Sequence, residues 1–277
     1  MSGSPIPRRC SRPSARGNWT TGCRAIARGA SRVARPGFKE QLDTLVSRDI
    51  AIRFGSAGTL LLMLVQAPII GSFVGLAWRS QEAVNQTYFI MAVAALWMGC
   101  MNACTCIVAE REIFARERMF SLNIWSYLLS KMLPLAAVCA AQAALLMAAQ
   151  GQLMHLKDSL LVQGLIFLFL TATGVCASAL GLLVSAFSRT SYGSVVAVPI
   201  LLIPQVIFSE VLLQDNINSR VPSIIEKLTL TKWCYEALVN AHNDIEWLVQ
   251  FKCLAALAAS LGLLLALAAG KLKLDDA

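Results

Sequence analysis

The 277-residue chain is 57% apolar and only 14% charged, with a mean hydropathy of +0.62. A water-soluble domain carries roughly 25% charged residues, so this composition excludes one, and the apolar residues fall in long uncharged runs, as lipid-solvated helices do. The net charge of +8 is local: residues 1–39 hold Arg8, Arg9, Arg12, Arg16, Arg24, Arg28, Arg32, Arg35 and Lys39 without an acid, giving +9 and leaving −1 for residues 40–277, so no nucleic-acid partner is expected.

In chain order, residues 1–37 are rich in Arg, Ser, Gly and Pro and read as a disordered tail. Their acid-poor character also fits an organellar targeting segment, a leftover linker or a misplaced start. Residues 38–53 change character. Phe38, Leu42, Leu45, Val46, Asp49 and Ile52 recur at spacings of three and four, and all but Asp49 are apolar. This predicts an amphipathic helix at the membrane surface, just before the first span.

Six uncharged windows follow: 54–78, 83–109, 132–156, 159–188, 190–209 and 253–270. A span needs about 20 apolar residues, and the last window gains length from Trp247, Leu248, Val249 and Phe251. Residues 159–209 are too long for one helix and are broken only at Ser188-Arg189-Thr190, which predicts two spans joined by a tight turn. The expected fold class is therefore an all-α membrane protein of six spans over 54–272. The Arg-rich tail, the 110–121 loop, Arg189 and Lys271/Lys273 share one side, which predicts cytoplasmic N- and C-termini. The long loop 210–246 on the other side contains two short apolar pieces, 223–228 and 233–238. These are expected to dip into the outer interface and pack on the bundle, with Trp233, Tyr235 and Trp247 as anchors.

Glu110-Arg111-Glu112-Ile113-Phe114-Ala115-Arg116-Glu117-Arg118-Met119 lies between spans two and three. Glu112 and Arg116 have the i,i+4 spacing of a helical ion pair, worth about 0.2–0.5 kcal/mol. Ile113 and Phe114 stay exposed unless they meet a partner. The stretch is either a solvated loop or a docking helix for a soluble subunit.

The order of amphipathic helix, two spans, the E-R-x-x-F-x-R-E-R stretch and Tyr127…Lys131…Pro134 resembles the type-2 ABC exporter permeases, particularly the G-subfamily-like class. Residues 179–188, 204–209 and 233–238 resemble that family's fourth span, fifth span and outer re-entrant segment. The likeness covers about residues 38–272. It implies a multi-pass permease in the cell membrane, the bacterial inner membrane above all, working as a homodimer or heterodimer. It further implies an ATPase partner that binds ATP and Mg, and a coupling helix at 110–119 carried by Glu110, Arg111, Glu112, Phe114, Arg116 and Glu117. No GxxxxGK[ST] phosphate loop occurs in the 277 residues, so the energy is expected from a separate chain. No cofactor of its own and no enzymatic activity are expected, since HExxH and GxSxG are also missing. The chain departs from the pattern at Thr105-Cys106, where some relatives carry an Arg-Glu pair. It departs again at Glu210, in place of a small residue, which is a candidate outer gate or an interfacial carboxylate.

Polar residues within spans mark a candidate substrate path: Asn102, Gln142, Thr171, Thr173 and Gln205. None is a buried acid or base suited to a proton relay. Small-residue faces at Gly71/Gly75 and at Gly174, Ser178, Gly181 and Ser185 predict close helix packing within the bundle or at a dimer seam. Cys100 and Cys104, one turn apart, read as buried thiols rather than metal ligands. The expected function is export of a hydrophobic or amphipathic substrate by alternating access. The alternative is a non-transporting scaffold, or the remnant of a split ATPase–permease fusion.

Overall fold

A computed structural model of the protein describes residues 37–77, 85–118, 122–153, 159–207, 229–243 and 245–274. The expected disordered tail up to residue 36, the first outer piece at 223–228 and Glu210 lie outside them. Among the described residues all regular structure is helical. The helices are α1 (Phe38–Gly55), α2 (Ala57–Ala77), α3 (Asn85–Ala103), α4 (Arg111–Arg118), α5 (Ile124–Leu153), α6 (Leu160–Phe187), α7 (Ser191–Ile207), α8 (Leu230–Asn243) and α9 (Trp247–Leu274), with a 3₁₀ turn at Val108–Glu110 leading into α4.

Five stretches are long and apolar enough to cross a bilayer: Ala57–Ala77, Asn85–Glu117, Ile124–Gln152, Leu160–Phe187 and Trp247–Leu274. The fifth window, 190–209, yields 17 described residues, those of α7, with Pro199 and Pro204 inside them. At 1.5 Å per residue that is about 25 Å, short of the roughly 30 Å hydrocarbon layer. The break between α6 and α7 falls at Ser188-Arg189-Thr190, as the sequence predicts. There Ser188 turns extended, and its hydroxyl donates to the Val184 carbonyl at 2.8 Å.

α6 is the central helix, packed by α3, α5, α8 and α9. Its contact with α3 is close because both helices present small residues. A Cβ on Gly99 would sit 2.2 Å from the Gly174 carbonyl oxygen, and one on Gly181 would sit 2.5 Å from that of Cys100. Ser178 fastens the same seam by donating to the Gly99 carbonyl at 3.1 Å. Gly71 in turn meets Leu146 and Ala149 of α5. The small-residue faces are thus used inside the chain. α8 lays Leu230, Cys234, Ala237, Leu238 and Ala241 onto the bundle, so the second outer piece, expected at 233–238, belongs to a longer helix. In contrast, α2 and α9 leave Leu62, Phe73, Leu248 and Phe251 exposed. Such apolar faces are the lipid-contacting surface of a membrane bundle.

Between Gly55 and Ala57 the backbone breaks at Ser56, whose hydroxyl donates to the carbonyls of Ile52 and Arg53. This separates α1 from the first span. α1 packs on α5 through buried Leu45 and Asp49, with Leu42 and Val46 half-buried. The predicted stripe does not run its full length, since Phe38 and Ile52 at its two ends are 44% and 51% exposed.

Candidate functional site

The densest polar cluster lies where α1, α4 and α5 meet. Lys131, on the first turns of α5, is 2% exposed. Its ammonium nitrogen is 2.6 Å from Asp49 Oδ1 and 2.7 Å from Glu110 Oε2. A buried ammonium needs such compensation, because removing it from water costs several kcal/mol. Asp49 also accepts from Arg53 Nε at 2.6 Å, one turn further along α1. Arg53 donates a second bond to the Cys106 thiol at 3.5 Å. Burial works against the Arg53 charge, but Cys106 and Asp49 more than offset it, so its pKa lies above the ordinary guanidinium value. Arg48 pairs closely with Glu117 of α4 and lies 3.9 Å from Glu110. Three acids (Asp49, Glu110, Glu117) face three bases (Arg48, Arg53, Lys131), a net charge of zero.

An aromatic layer lies beside the charges. Phe114 is buried against Tyr127, ring centroids 4.7 Å apart, and Lys131 stands 5.7 Å from the Tyr127 ring centre. On the other flank, Arg111 donates to the Ser188 carbonyl at 3.0 Å. Ser185 Oγ accepts the main-chain N–H groups of Ile107 and Val108 at 3.0 and 2.9 Å. These bonds satisfy the donors exposed where α3 unwinds. They fix the approach to α4 onto the C-terminal end of α6.

The six residues predicted at 110–119 therefore divide into two sets. Glu110, Arg111, Phe114 and Glu117 turn toward the bundle and are consumed by contacts within the chain. Glu112 and Arg116 are exposed, alongside Ala115 and Ile113, the latter at 45%. Phe114, expected to stay exposed without a partner, finds one in Tyr127. Arg116 Nε donates to the main-chain carbonyl of Glu112 at 3.3 Å rather than pairing with its carboxylate, in keeping with how little an exposed ion pair gains in water.

The candidate path residues are not gathered around one cavity. Asn102 Nδ2 donates to Gln142 Oε1 at 2.7 Å, and Gln142 Nε2 donates to the Met63 carbonyl at 2.7 Å, so the two join α2, α3 and α5. Thr173 is fully buried and Thr171 partly buried in α6. Gln205 Oε1 accepts from Leu230 N at 3.0 Å and so ties α7 to the start of α8. Sequence reasoning missed Arg48, Asp49, Arg53 and Lys131 as a set. Their signal was an acid on an apolar helical stripe and a lone Lys directly before a 25-residue uncharged window.

The described residues contain no group of three or more His, Cys, Asp or Glu able to hold a metal ion. The buried cysteines Cys100, Cys104, Cys139, Cys176, Cys234 and Cys253 are free thiols. The described residues thus form a multi-pass helical bundle in which α4, at the end of the second long apolar stretch, is held to α1 and α5 by ion pairs and an aromatic contact. The chain belongs to the ABC-2 type transporter family, whose pattern it matches over residues 40–242, more than half its length. It is a multi-pass membrane protein with an ABC-type permease role, in a family whose members pair with a nucleotide-binding ABC subunit. A comparison with curated proteins returned no match.

Proposed function

We propose that this chain is the membrane half of an ATP-driven exporter, and that the exposed face of α4 is where the ATPase of a separate chain docks. The observation that carries the reading is the two-sided character of α4. One face is stapled to α1 and α5 through Glu110, Phe114 and Glu117, while the other presents Glu112, Ile113, Ala115 and Arg116. A push on the free face reaches two other helices, through the half-exposed Arg48–Glu117 pair and the Glu110–Lys131 contact, whose ammonium is buried. Nucleotide-driven movement of the ATPase would then bias the bundle between inward- and outward-facing states through differing contacts in each.

In this reading residues 38–53 are the connecting helix and 54–272 the six-span permease domain, with α7 in its fifth crossing. Both termini are cytoplasmic, two permease chains work as a pair, and the membrane is the bacterial inner membrane. The cargo is hydrophobic or amphipathic, because the polar side chains of the candidate path within the spans are uncharged. Its route past Asn102, Gln142, Thr171, Thr173 and Gln205 requires those residues to part in another state, with Glu210 at the outer mouth.

The test is co-purification with a candidate phosphate-loop ATPase. Ile113→Asp combined with Glu112→Lys and Arg116→Glu should abolish capture while leaving the permease folded. Undiminished capture by that triple variant would refute the docking face.

A further inference from the structure

Beside the charge cluster, a groove runs along α1 where it lies against α2 and α5. It consists of two adjoining hollows that share Val46 and Leu133. The first, about 460 Å³, is bounded by Lys39, Glu40, Leu42 and Asp43. The second, about 440 Å³, is walled by Ile50, Phe54, Leu60, Leu64 and Ala141, with Arg53 the one charged residue in its lining. The groove is thus polar at the start of α1 and apolar where it descends between the two long helices. From Lys39 to Arg53 is fourteen residues, about 21 Å of helix.

We propose that this groove seats one bilayer glycerophospholipid of the phosphatidylethanolamine class. An acyl chain fills the apolar hollow, and the headgroup lies at Lys39 and Asp43. The shape favours a chain over a protein helix, because Ala137 and Ala141 leave a recess rather than a flat face. With Arg53 its one charged lining residue, the recess offers water few partners, and in a bilayer the acyl chains of lipid are the available filling.

The charges choose the headgroup. The polar hollow offers one cation, Lys39, and two carboxylates, Glu40 and Asp43. Glu40 already accepts the Gly37 N–H at 3.1 Å. A phosphate on Lys39 and a primary ammonium on Asp43 match this set with charge-assisted hydrogen bonds. A purely anionic headgroup would meet the carboxylates unfavourably, and a choline has no N–H to offer Asp43. Arg53 lines the second hollow. Its Nε and Nη2 are committed to Asp49 and Cys106, but a guanidinium carries five N–H donors, which leaves others for an ester carbonyl of the lipid.

The inference does not rest on the ATPase docking face, since it needs only a chain embedded in lipid. The test is native mass spectrometry of the full chain in detergent micelles, supplied in turn with phosphatidylethanolamine, phosphatidylglycerol and phosphatidylcholine of identical acyl chains. One phosphatidylethanolamine should be retained in preference to the other two. Ala137→Phe with Ala141→Phe, both at exposed positions lining the recess, should lower retention about tenfold, a change of about 1.4 kcal/mol. Ala258→Phe, exposed on α9, should leave it unchanged. Lys39→Gln with Asp43→Asn, both exposed and outside the packed core, should keep a lipid but lose the headgroup preference. Equal retention of the three lipids by the unaltered chain would overturn the proposal, as would preference for phosphatidylglycerol. So would retention that survives filling of the recess, or a filled variant that changes oligomeric state, which would make the groove a seam between chains.

Discussion

Lys131→Met is the sharpest probe of the charge cluster. Methionine keeps most of the side-chain length and is compatible with the helix and its apolar neighbours, so the substitution removes the ammonium with little change in packing. Asp49 keeps Arg53 at 2.6 Å, but Glu110 is left with Arg48 alone, 3.9 Å away. Breaking a buried ion pair from one side costs about 3–5 kcal/mol, because the remaining charge stays buried without its partner. Adding Glu110→Gln removes that stranded charge. The second substitution should therefore cost less in the Lys131→Met background than in the unaltered protein, by about 0.5–3 kcal/mol, the range found for directly contacting residues. The assay is reversible unfolding in mixed micelles followed by tryptophan fluorescence, completed as a double-mutant cycle. Strict additivity, or a loss below about 1 kcal/mol for Lys131→Met, would show that Lys131 and Glu110 do not share the buried contact described above.

Further expectations bear on the same architecture. Phe114→Ala should destabilise the protein by about 3–5 kcal/mol, the range for emptying a buried aromatic site. Ile113→Ala on the exposed face should stay within about 0.5 kcal/mol and yet weaken ATPase capture, which separates fold from docking. Gly99→Ala places a Cβ 2.2 Å from the Gly174 carbonyl oxygen, so α3 must move off α6, at a cost of about 1–3 kcal/mol in thermal unfolding. Gly164→Ala, with nothing within 4 Å, is the matched control and should not destabilise. Asn102→Leu strands Gln142 Oε1 and should cost about 0.6–1.7 kcal/mol, the range for hydrogen bonds between membrane helices. Equal unfolding midpoints for that variant and the unaltered chain would argue against the bonded pair.

The sequence by itself determined the membrane class, the break between α6 and α7 and the family resemblance, because each depends on local properties. An uncharged run of sufficient length must be dissolved in lipid, and a Ser-Arg-Thr interruption inside 51 apolar residues must be a turn. Periodicity also exposed Asp49, an acid on an apolar stripe, but gave no indication of what would neutralise it. Lys131 lies 82 residues away, and nothing local links the two. The same holds for the faces of α4: spacing marks which residues share a side of the helix, but not which side the bundle will claim. Only the tertiary structure decided that Phe114 turns inward onto Tyr127 while Ile113 stays out, and that Asn102 and Gln142 satisfy each other. The physical reason is the cost of burying polarity. A buried charge or amide must find a partner wherever the chain brings one, and that choice is made by packing across the whole fold rather than by neighbours in sequence.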